Sequence, residues 1–208
     1  KNNRTLEKSL VYYHNKEDPI REVIAMLESN LAAVFLSFLF GAALTFSAFS
    51  AGPAFAGELT LKSPAFENGG HLPQNSGYLT GNISPPLEWS LPPPGTRSFA
   101  LIVDDPDARG WVHWIAWNIP FTASRLPENV AQGMTLPDGT RQGLNDFGKI
   151  GYGGPCPPSG IHRYSFRIVA LDTVLDLAPG AERYELVKAI GSHALQEARL
   201  TGTFRSEK

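Results

Sequence analysis

The sequence has one cysteine, Cys156, among 208 residues, which excludes an intrachain disulfide. Charge is also scarce: charged residues make up 18% of the chain, and the formal net charge is −2 at pH 7. This near-neutral balance gives no basic surface of the kind that binds nucleic acid. The 20 Gly and 17 Pro exclude a helical bundle, because these residues cost about 1 and 3 kcal/mol respectively inside a helix.

Signatures of several enzyme classes are missing as well. The sequence contains no Gly-x-Ser-x-Gly elbow, no His-Glu-x-x-His pair and no paired cysteines for zinc. The dipeptide Gly148-Lys149 is not followed by Ser or Thr, so it does not form a phosphate-binding loop of the nucleotide-binding type. We therefore expect no cofactor.

The first 56 residues differ in kind from the rest. From Leu31 to Gly57 no side chain is ionisable, and the stretch is apolar enough to enter a bilayer as a helix. Because it ends in the small-residue pattern Ala54-Phe55-Ala56, we interpret residues 1–56 as an upstream segment and an export signal cleaved after Ala56. The domain, residues 57–208, would then be periplasmic or secreted.

An uncleaved membrane anchor is the alternative for this segment. Met26 is a plausible true start, and the residues between it and the apolar run contain no Lys or Arg. Export signals normally begin with positive charge. Residues 1–25 have no recognisable pattern and are assigned no function.

Short apolar runs between turns rich in Pro and Gly predict a β-rich domain. Strands are predicted at Leu59–Leu61, Ser98–Val103, Trp111–Ile119, His162–Leu171 and Leu200–Phe204. Apolar residues every four positions predict a helix over Glu182–Arg199. The expected fold is mainly β, an antiparallel β-sandwich with one or two peripheral helices.

Two histidines occupy comparable positions near the starts of two predicted strands. Two-residue alternation places Trp111, His113, Ile115 and Trp117 on one face of the first, and His162, Tyr164, Phe166 and Ile168 on one face of the second. If both faces look into one core, the two imidazoles meet at its rim. A nearby anion would raise the pKa of each imidazole, and the Asp105 carboxylate is expected to do the same before a ligand arrives. The alternative is that each is a hydrogen-bonded, half-buried histidine without a ligand.

The acidic run Asp104-Asp105-Pro106-Asp107 directly follows a predicted buried strand. Three carboxylates so close together repel, so backbone N–H groups, Arg109 or a protonated histidine must compensate. An ordinary Asx-Pro turn is the alternative interpretation.

The segment Gly151–Gly160 is rich in glycine, which makes the backbone flexible, and in proline, which makes it rigid. Glycine lets backbone N–H groups approach a ligand closely, so the composition suits a small anion-binding nest. Cys156 within it is expected to be a small packing residue among prolines, with an exposed thiol as the alternative.

Taken in their order along the chain, these motifs resemble those of the phosphatidylethanolamine-binding protein family, also called Raf kinase inhibitor-like proteins, and in particular of its short bacterial members. The resemblance rests on Ser84–Trp89, Asp105-Pro106-Asp107-Ala108, Trp111-x-His113-Trp114, Gly153-Gly154-Pro155 and Gly160-x-His162-Arg163-Tyr164, and it spans nearly all of residues 58–205. It implies a Greek-key sandwich with peripheral helices and a small pocket for phosphate or phosphorylated headgroups. One departure is Arg109, which stands where the family usually has proline.

By this resemblance the pocket lining comprises Asp105, Asp107, His113, Gly154, Pro155, His162 and Tyr164. The implied function is a non-enzymatic, exported binding protein for a phosphate-containing small molecule or phospholipid headgroup, with inhibition of a kinase or peptidase as a further role. The residues themselves leave a metal-dependent hydrolase as the alternative, because two histidines and one carboxylate make a known type of metal site.

Overall fold

The computed structural model describes residues 57–205. Its strands are β1 (Leu61–Lys62), β2 (Leu87–Trp89), β3 (Ser98–Asp105), β4 (Trp111–Pro120), β5 (Arg125–Leu126), β6 (Arg141–Gln142), β7 (Ile161–Leu171) and β8 (Ala194–Arg205). One α-helix, α1 (Arg183–Ile190), precedes β8. The predicted export signal lies outside the described residues. Within these residues, no helix has the length and apolar character to cross a membrane.

The strands form two antiparallel sheets. The larger has the order β6-β4-β3-β7-β8 and the smaller the order β1-β2-β5. One core cluster joins residues of the small sheet, such as Leu87, to residues of the large sheet, such as Leu101 and Phe166. A second cluster lies on the other face of the large sheet and includes Leu186 of α1. The prediction of an antiparallel β-sandwich with a peripheral helix is confirmed.

The central strand β3 is apolar on both faces because both faces are covered. Its side chains alternate between the clusters: Leu101 and Val103 belong to the first, and Ala100 and Ile102 to the second. A strand buried on both sides has a continuous apolar sequence instead of an alternating one. This explains the apolar run from which the strand was predicted.

The predicted faces of β4 are wrong at His113. Val103 is paired with Trp114, but the next residue of β3, Asp104, is paired with Val112. His113 is therefore the extra residue of a β-bulge, which breaks two-residue alternation. Its ring contacts the same core cluster as Trp114, whereas Ile115 and Trp117 belong to the cluster on the opposite face. The predicted faces of β7 hold, since Tyr164, Phe166 and Ile168 all lie in the first cluster.

The predicted helix over Glu182–Arg199 is also wrong in its second half. The helix begins with a reciprocal capping box between Glu182 and Glu185 and ends at Gly191, whose φ is +40°. Strand β8 then starts at Ala194 and pairs with β7 over its whole length. Pairing with β7 outweighs the helical spacing of the apolar residues in this segment. Local sequence alone cannot reveal this pairing, because it depends on a neighbouring strand.

Candidate anion-binding site

The site is built around Asp105, the last residue of β3. Its Oδ1 accepts hydrogen bonds from the backbone N–H groups of Asp107 and Ala108, at 2.8 and 3.0 Å. The carboxylate thereby caps the short 3₁₀ turn that contains Pro106. Its second oxygen, Oδ2, lies 2.7 Å from Nδ1 of His162. Because Asp105 is buried, this one carboxylate ties the turn to β7.

Each aspartate of the acidic run has its own cationic or polar partner, which removes the repulsion expected between them. Their partners are Arg183 for Asp104, His162 for Asp105 and Arg163 for Asp107, at 2.9, 2.7 and 2.6 Å. The Arg163 guanidinium lowers the pKa of Asp107 to about 2. Backbone N–H groups and a histidine compensate as expected.

Arg109 is not among these partners. It ends the 3₁₀ turn in the left-handed conformation, with φ 58° and ψ 30°. The turn forms without the proline that the family usually has at this position. Its backbone geometry is one that Gly and Asn adopt more readily than Arg.

His113 is held by the carbonyl of Gly153, with 2.7 Å between Nδ1 and the oxygen. A carbonyl only accepts hydrogen bonds, so Nδ1 carries the proton and Nε2 of the neutral ring is left as an acceptor. Burial lowers the pKa of His113, against the opposing influence of the Gly153 carbonyl and the Asp105 charge. The expectation that Asp105 would hold the pKa of this histidine above its usual value is wrong, because desolvation of the buried ring dominates.

His162 has a matching arrangement. Its Nδ1–H donates to the Asp105 carboxylate, and its side chain is 16% exposed. Since Nδ1 is again the bonded nitrogen, Nε2 is the atom left for other partners. Both imidazoles are thus fixed through Nδ1 and keep Nε2 for a ligand.

Tyr164 contacts His113 and is two residues from His162 on β7. Its ring packs edge-on against His113, with 5.0 Å between ring centroids, and only 1% of the residue is exposed. Burial raises the pKa of Tyr164, and the nearby Asp105 carboxylate raises it further. Among residues 57–205 no group meets its hydroxyl in hydrogen-bond geometry, although the Asp105 carboxylate and the Cys156 backbone lie near it. Buried polar groups normally have a partner, so this hydroxyl is available to a group that enters the site.

An aromatic wall extends from His113 toward the surface. Phe147 packs edge-on against His113 and Trp111, at centroid distances of 5.5 and 5.6 Å, and stacks on Tyr78 at 4.2 Å. Trp111 is 40% exposed. Sequence analysis did not single out Tyr78 or Phe147, because neither belongs to a motif that carries charge or a titratable ring.

The Gly-Pro segment supports the site through Gly153 and Gly154, two of the residues expected to form an anion-binding nest. The N–H of Gly153 donates to the His113 carbonyl at 2.8 Å, and the N–H of Gly154 donates to Oδ1 of Asn82 at 2.7 Å. Both donors are therefore engaged within the protein. A Cβ atom on Gly154 would collide with the carbonyl of Ser76, so this glycine is needed for close packing.

The site residues suggested by sequence thus fall into two groups. Asp105, His113, His162 and Tyr164 form one connected cluster through the contacts above. Asp107 turns toward Arg163, while Gly154 and Pro155 pack against the loop at Ser76–Tyr78, where the Tyr78 N–H donates to the Pro155 carbonyl. Cys156 is an exposed free thiol, so its expected role as a packing residue is wrong.

The donor set of the alternative metal site is not assembled. Within the part of the chain that the structure describes, no group of three or more His, Cys, Asp or Glu side chains is placed to hold one metal ion. The Nδ1 atoms of the two histidines are used by Gly153 and Asp105.

Comparison with known proteins agrees with this architecture. The sequence model of the phosphatidylethanolamine-binding protein family matches residues 62–205. A UPF0098 protein of Methanothermobacter thermautotrophicus is 50% identical over 149 residues, which cover 71% of this chain and 99% of that protein. Lipoprotein LppC of Mycobacterium tuberculosis is 43% identical over 158 residues, covering 73% of this chain and 75% of that protein.

Two crystal structures of similar proteins have the same fold. The phosphatidylethanolamine-binding protein homologue CT736 of Chlamydia trachomatis superimposes with a TM-score of 0.66 at 37% identity, covering 72% of this chain and 99% of that one. YbcL of Escherichia coli gives 0.67 at 34% identity, covering 73% and 100%. From the family match over residues 62–205 and these similarities, the chain belongs to the phosphatidylethanolamine-binding protein family.

Proposed function

We propose that the protein is a non-catalytic binding protein whose cluster of Asp105, His113, His162 and Tyr164 takes a phosphate group. The observation that carries the proposal is the buried Tyr164 hydroxyl, which has no hydrogen-bond partner among residues 57–205. A phosphate oxygen would accept its proton. Membership in a family named for a phospholipid supports a ligand that contains phosphate.

The histidines set the protonation state that such a ligand needs. With Nδ1–H committed, a neutral imidazole offers only an acceptor at Nε2, which repels a fully ionised phosphate oxygen. Binding is favourable when a proton sits between them, either on Nε2 or on the phosphate. Because burial lowers the pKa of His113, the shared proton at that ring is supplied by a P–OH group. A phosphate monoester carries such a group mainly below its second pKa of about 6, so its binding at His113 is expected to strengthen as the pH falls toward 6. A phosphodiester has no such group and needs the shared proton on Nε2 instead.

The expected affinity for an isolated headgroup is low. Two or three charge-assisted hydrogen bonds contribute about 1.5–3 kcal/mol each. Association costs at least about 4 kcal/mol, which leaves dissociation constants of about millimolar or somewhat tighter. A tight partner must add contact area, either as an acyl chain on the wall formed by Tyr78, Trp111 and Phe147 or as the surface of a kinase or peptidase.

The proposal is tested by NMR titration of the imidazole resonances with inorganic phosphate. We expect the signals of His113 and His162 to move together along one binding curve, while those of His71, which is exposed and lies outside the site, stay in place. The proposal fails if neither imidazole responds at millimolar phosphate.

We also propose that the domain works outside the cytoplasm. Support comes from the uncharged segment between Leu31 and Gly57 and from a relative that carries the name lipoprotein. Amino-terminal sequencing of protein recovered from the exported fraction is expected to begin at Gly57. An intact amino terminus in the membrane fraction would support the anchor alternative instead.

A further inference from the structure

A second polar groove lies on the opposite face of the large sheet. Its volume is about 500 Å³. Its floor is a row of cross-strand neighbours, in which Asp104 is opposite Ser165 on β7, and Ser165 is opposite Thr201 on β8. These side chains point away from the site, because their neighbours Asp105, Tyr164 and Leu200 are on the other face.

Three arginines line this groove from three different elements. Arg163 comes from β7, Arg183 from the start of α1 and Arg199 from β8. Each is oriented by one carboxylate: Arg163 by Asp107 at 2.6 Å, Arg183 by Asp104 at 2.9 Å and Arg199 by Glu197 at 3.1 Å. A guanidinium has five N–H donors, so each pair leaves donors for a ligand. The side chains of Arg163 and Arg199 are 61% and 58% exposed, so their carboxylates orient them without immobilising them.

The stability of the sheet does not explain the arrangement of these charges. Arg199 lies directly opposite Arg167 in the β7–β8 pair. Like charges at directly opposite positions destabilise a sheet. Glu197 contacts both guanidiniums, at 3.4 and 3.1 Å, and only partly offsets their repulsion. The residues that line the groove include three arginines and one carboxylate, Asp104, so the lining itself carries a positive charge, while Arg167, Asp107 and Glu197 lie outside it.

We propose that this groove, defined by Arg163, Arg183, Arg199, Ser165 and Thr201, is a second anion site that takes a phosphate or sulfate monoester. Guanidiniums approaching from three sides, with hydroxyls beneath, match a tetrahedral group with three terminal oxygens. A single carboxylate would engage one guanidinium and leave the others without a ligand. The volume exceeds that of the anionic group itself, which leaves room for the body of the ester.

This second site is independent of the first. It shares none of Asp105, His113, His162 and Tyr164, and it uses guanidiniums that stay charged at all physiological pH values. Binding here is therefore expected to persist where the imidazole site loses its shared proton.

The test is a backbone amide NMR titration with inorganic phosphate and with inorganic sulfate. We expect saturable shifts at Ser165, Arg199 and Thr201, and no comparable shifts in sodium chloride of matched ionic strength. Arg199→Gln is expected to weaken the binding at least about ten-fold, because it removes charge-assisted hydrogen bonds. The matched control is Arg125→Gln, an exposed arginine of the small sheet, which should leave the affinity unchanged.

Stability measurements separate binding from a structural role. Arg199→Gln removes a like-charge pair, so its Tm is expected to stay the same or rise. Thr201→Val serves as a second variant, since it removes a floor hydroxyl without changing charge. A fall in Tm for Arg199→Gln together with unchanged affinity in Thr201→Val would show a structural ion-pair network and overturn the proposal. Absence of groove shifts, or equal shifts in chloride, would overturn it as well.

The same samples distinguish this site from the proposed function. Shifts in the groove without shifts of the His113 and His162 imidazoles support the groove and contradict the proposed function. Shifts of the imidazoles without shifts in the groove support the proposed function and contradict the groove. Two further ligands identify the source of the anion. Tighter binding of O-phosphoserine than of inorganic phosphate indicates a soluble monoester. Co-sedimentation with phosphatidic acid vesicles that Arg199→Gln abolishes indicates a lipid headgroup.

Discussion

At the scale of single residues, Tyr164 gives the clearest contrast between stability and binding. Its buried hydroxyl has no partner among the described residues, and such a group costs about 1–3 kcal/mol. Tyr164→Phe is therefore expected to raise the free energy of unfolding by about 1 kcal/mol in phosphate-free buffer and to weaken phosphate binding. Urea unfolding with and without phosphate measures both effects.

Tyr152 provides the matched control for that substitution. It is also buried, but its hydroxyl donates to the carbonyl of Ser76 at 3.0 Å. Tyr152→Phe is expected to lower the free energy of unfolding by about 1 kcal/mol, because it leaves the Ser76 carbonyl without its donor. Equal destabilisation by both substitutions would show that the Tyr164 hydroxyl is already satisfied.

His113 makes the stability of the protein depend on pH. Burial lowers the pKa of His113 below the 6.5 of an unperturbed imidazole, so the unfolded chain takes up a proton at higher pH than the folded one. The free energy of unfolding is then expected to fall as the pH falls below 6.5, toward the lowered folded-state pKa. Urea unfolding at several pH values between about 8 and about 5 measures how the free energy of unfolding depends on pH.

The control for the pH dependence is His113→Asn. The asparagine amide nitrogen lies where Nδ1 of the histidine lies, so it can still donate to the Gly153 carbonyl, but it does not titrate. The variant is expected to show a shallower pH dependence than the wild type over the same range. Identical slopes would mean that other groups cause the loss of stability.

The polar members of the site could be suggested from sequence, but their apolar surroundings could not. Asp105, His113 and His162 stand in motifs with chemically active side chains. Phe147 and the Gly153 carbonyl reach His113 only because the chain between β6 and β7 folds back over β4, a tertiary event that leaves no local signal. The lowered pKa of His113 follows from that covering, so its direction was predicted wrongly.

At the scale of elements, Gly191 decides where the helix ends and the last strand begins. Its φ of +40° lies in a region that L side chains rarely adopt. Gly191→Ala is expected to lower the free energy of unfolding by about 1 kcal/mol or more. Thermal unfolding next to the control Ser192→Ala, the adjacent exposed position, measures the effect. An equal loss of stability in the two variants would contradict a conformational role for Gly191.

Strands were predictable where burial on both faces gave an apolar run, as in β3 and β4, and where one buried face gave alternation, as in the first half of β7. Two features were not. The bulge at His113 is set by the register between β3 and β4, and the strand character of residues 194–199 is set by pairing with β7. Both depend on the neighbouring strand, which a pattern within one segment does not contain.

At the scale of the whole molecule, the residues that the structure describes contain two core clusters. Among residues 57–205, the members of these clusters extend from Leu59 to Phe204. A fragment of residues 57–208 is therefore expected to unfold in one cooperative transition, with the same Tm as the full chain. Calorimetry of the two proteins compares them, and a non-cooperative fragment would show that residues 1–56 are part of the fold.

The two faces of the large sheet give the molecule two chemically different surfaces. Asp105 directs its carboxylate to the imidazoles on one face, and Asp104 directs its own to Arg183 on the other. Sequence analysis predicted the sandwich and the face of β7 that holds His162, but not the face of β4 on which His113 lies. It did not predict the arginine groove, because its residues come from β7, α1 and β8 and meet only across the folded sheet.

The central claim is that two imidazoles, one carboxylate and one tyrosine hydroxyl form a single phosphate site. A crystal structure of the protein grown with a phosphate monoester tests it most directly. The account predicts phosphate oxygens within about 3 Å of the Tyr164 hydroxyl and of Nε2 of both His113 and His162. Phosphate bound elsewhere at saturating concentration, with the Tyr164 hydroxyl still lacking a partner, would contradict it.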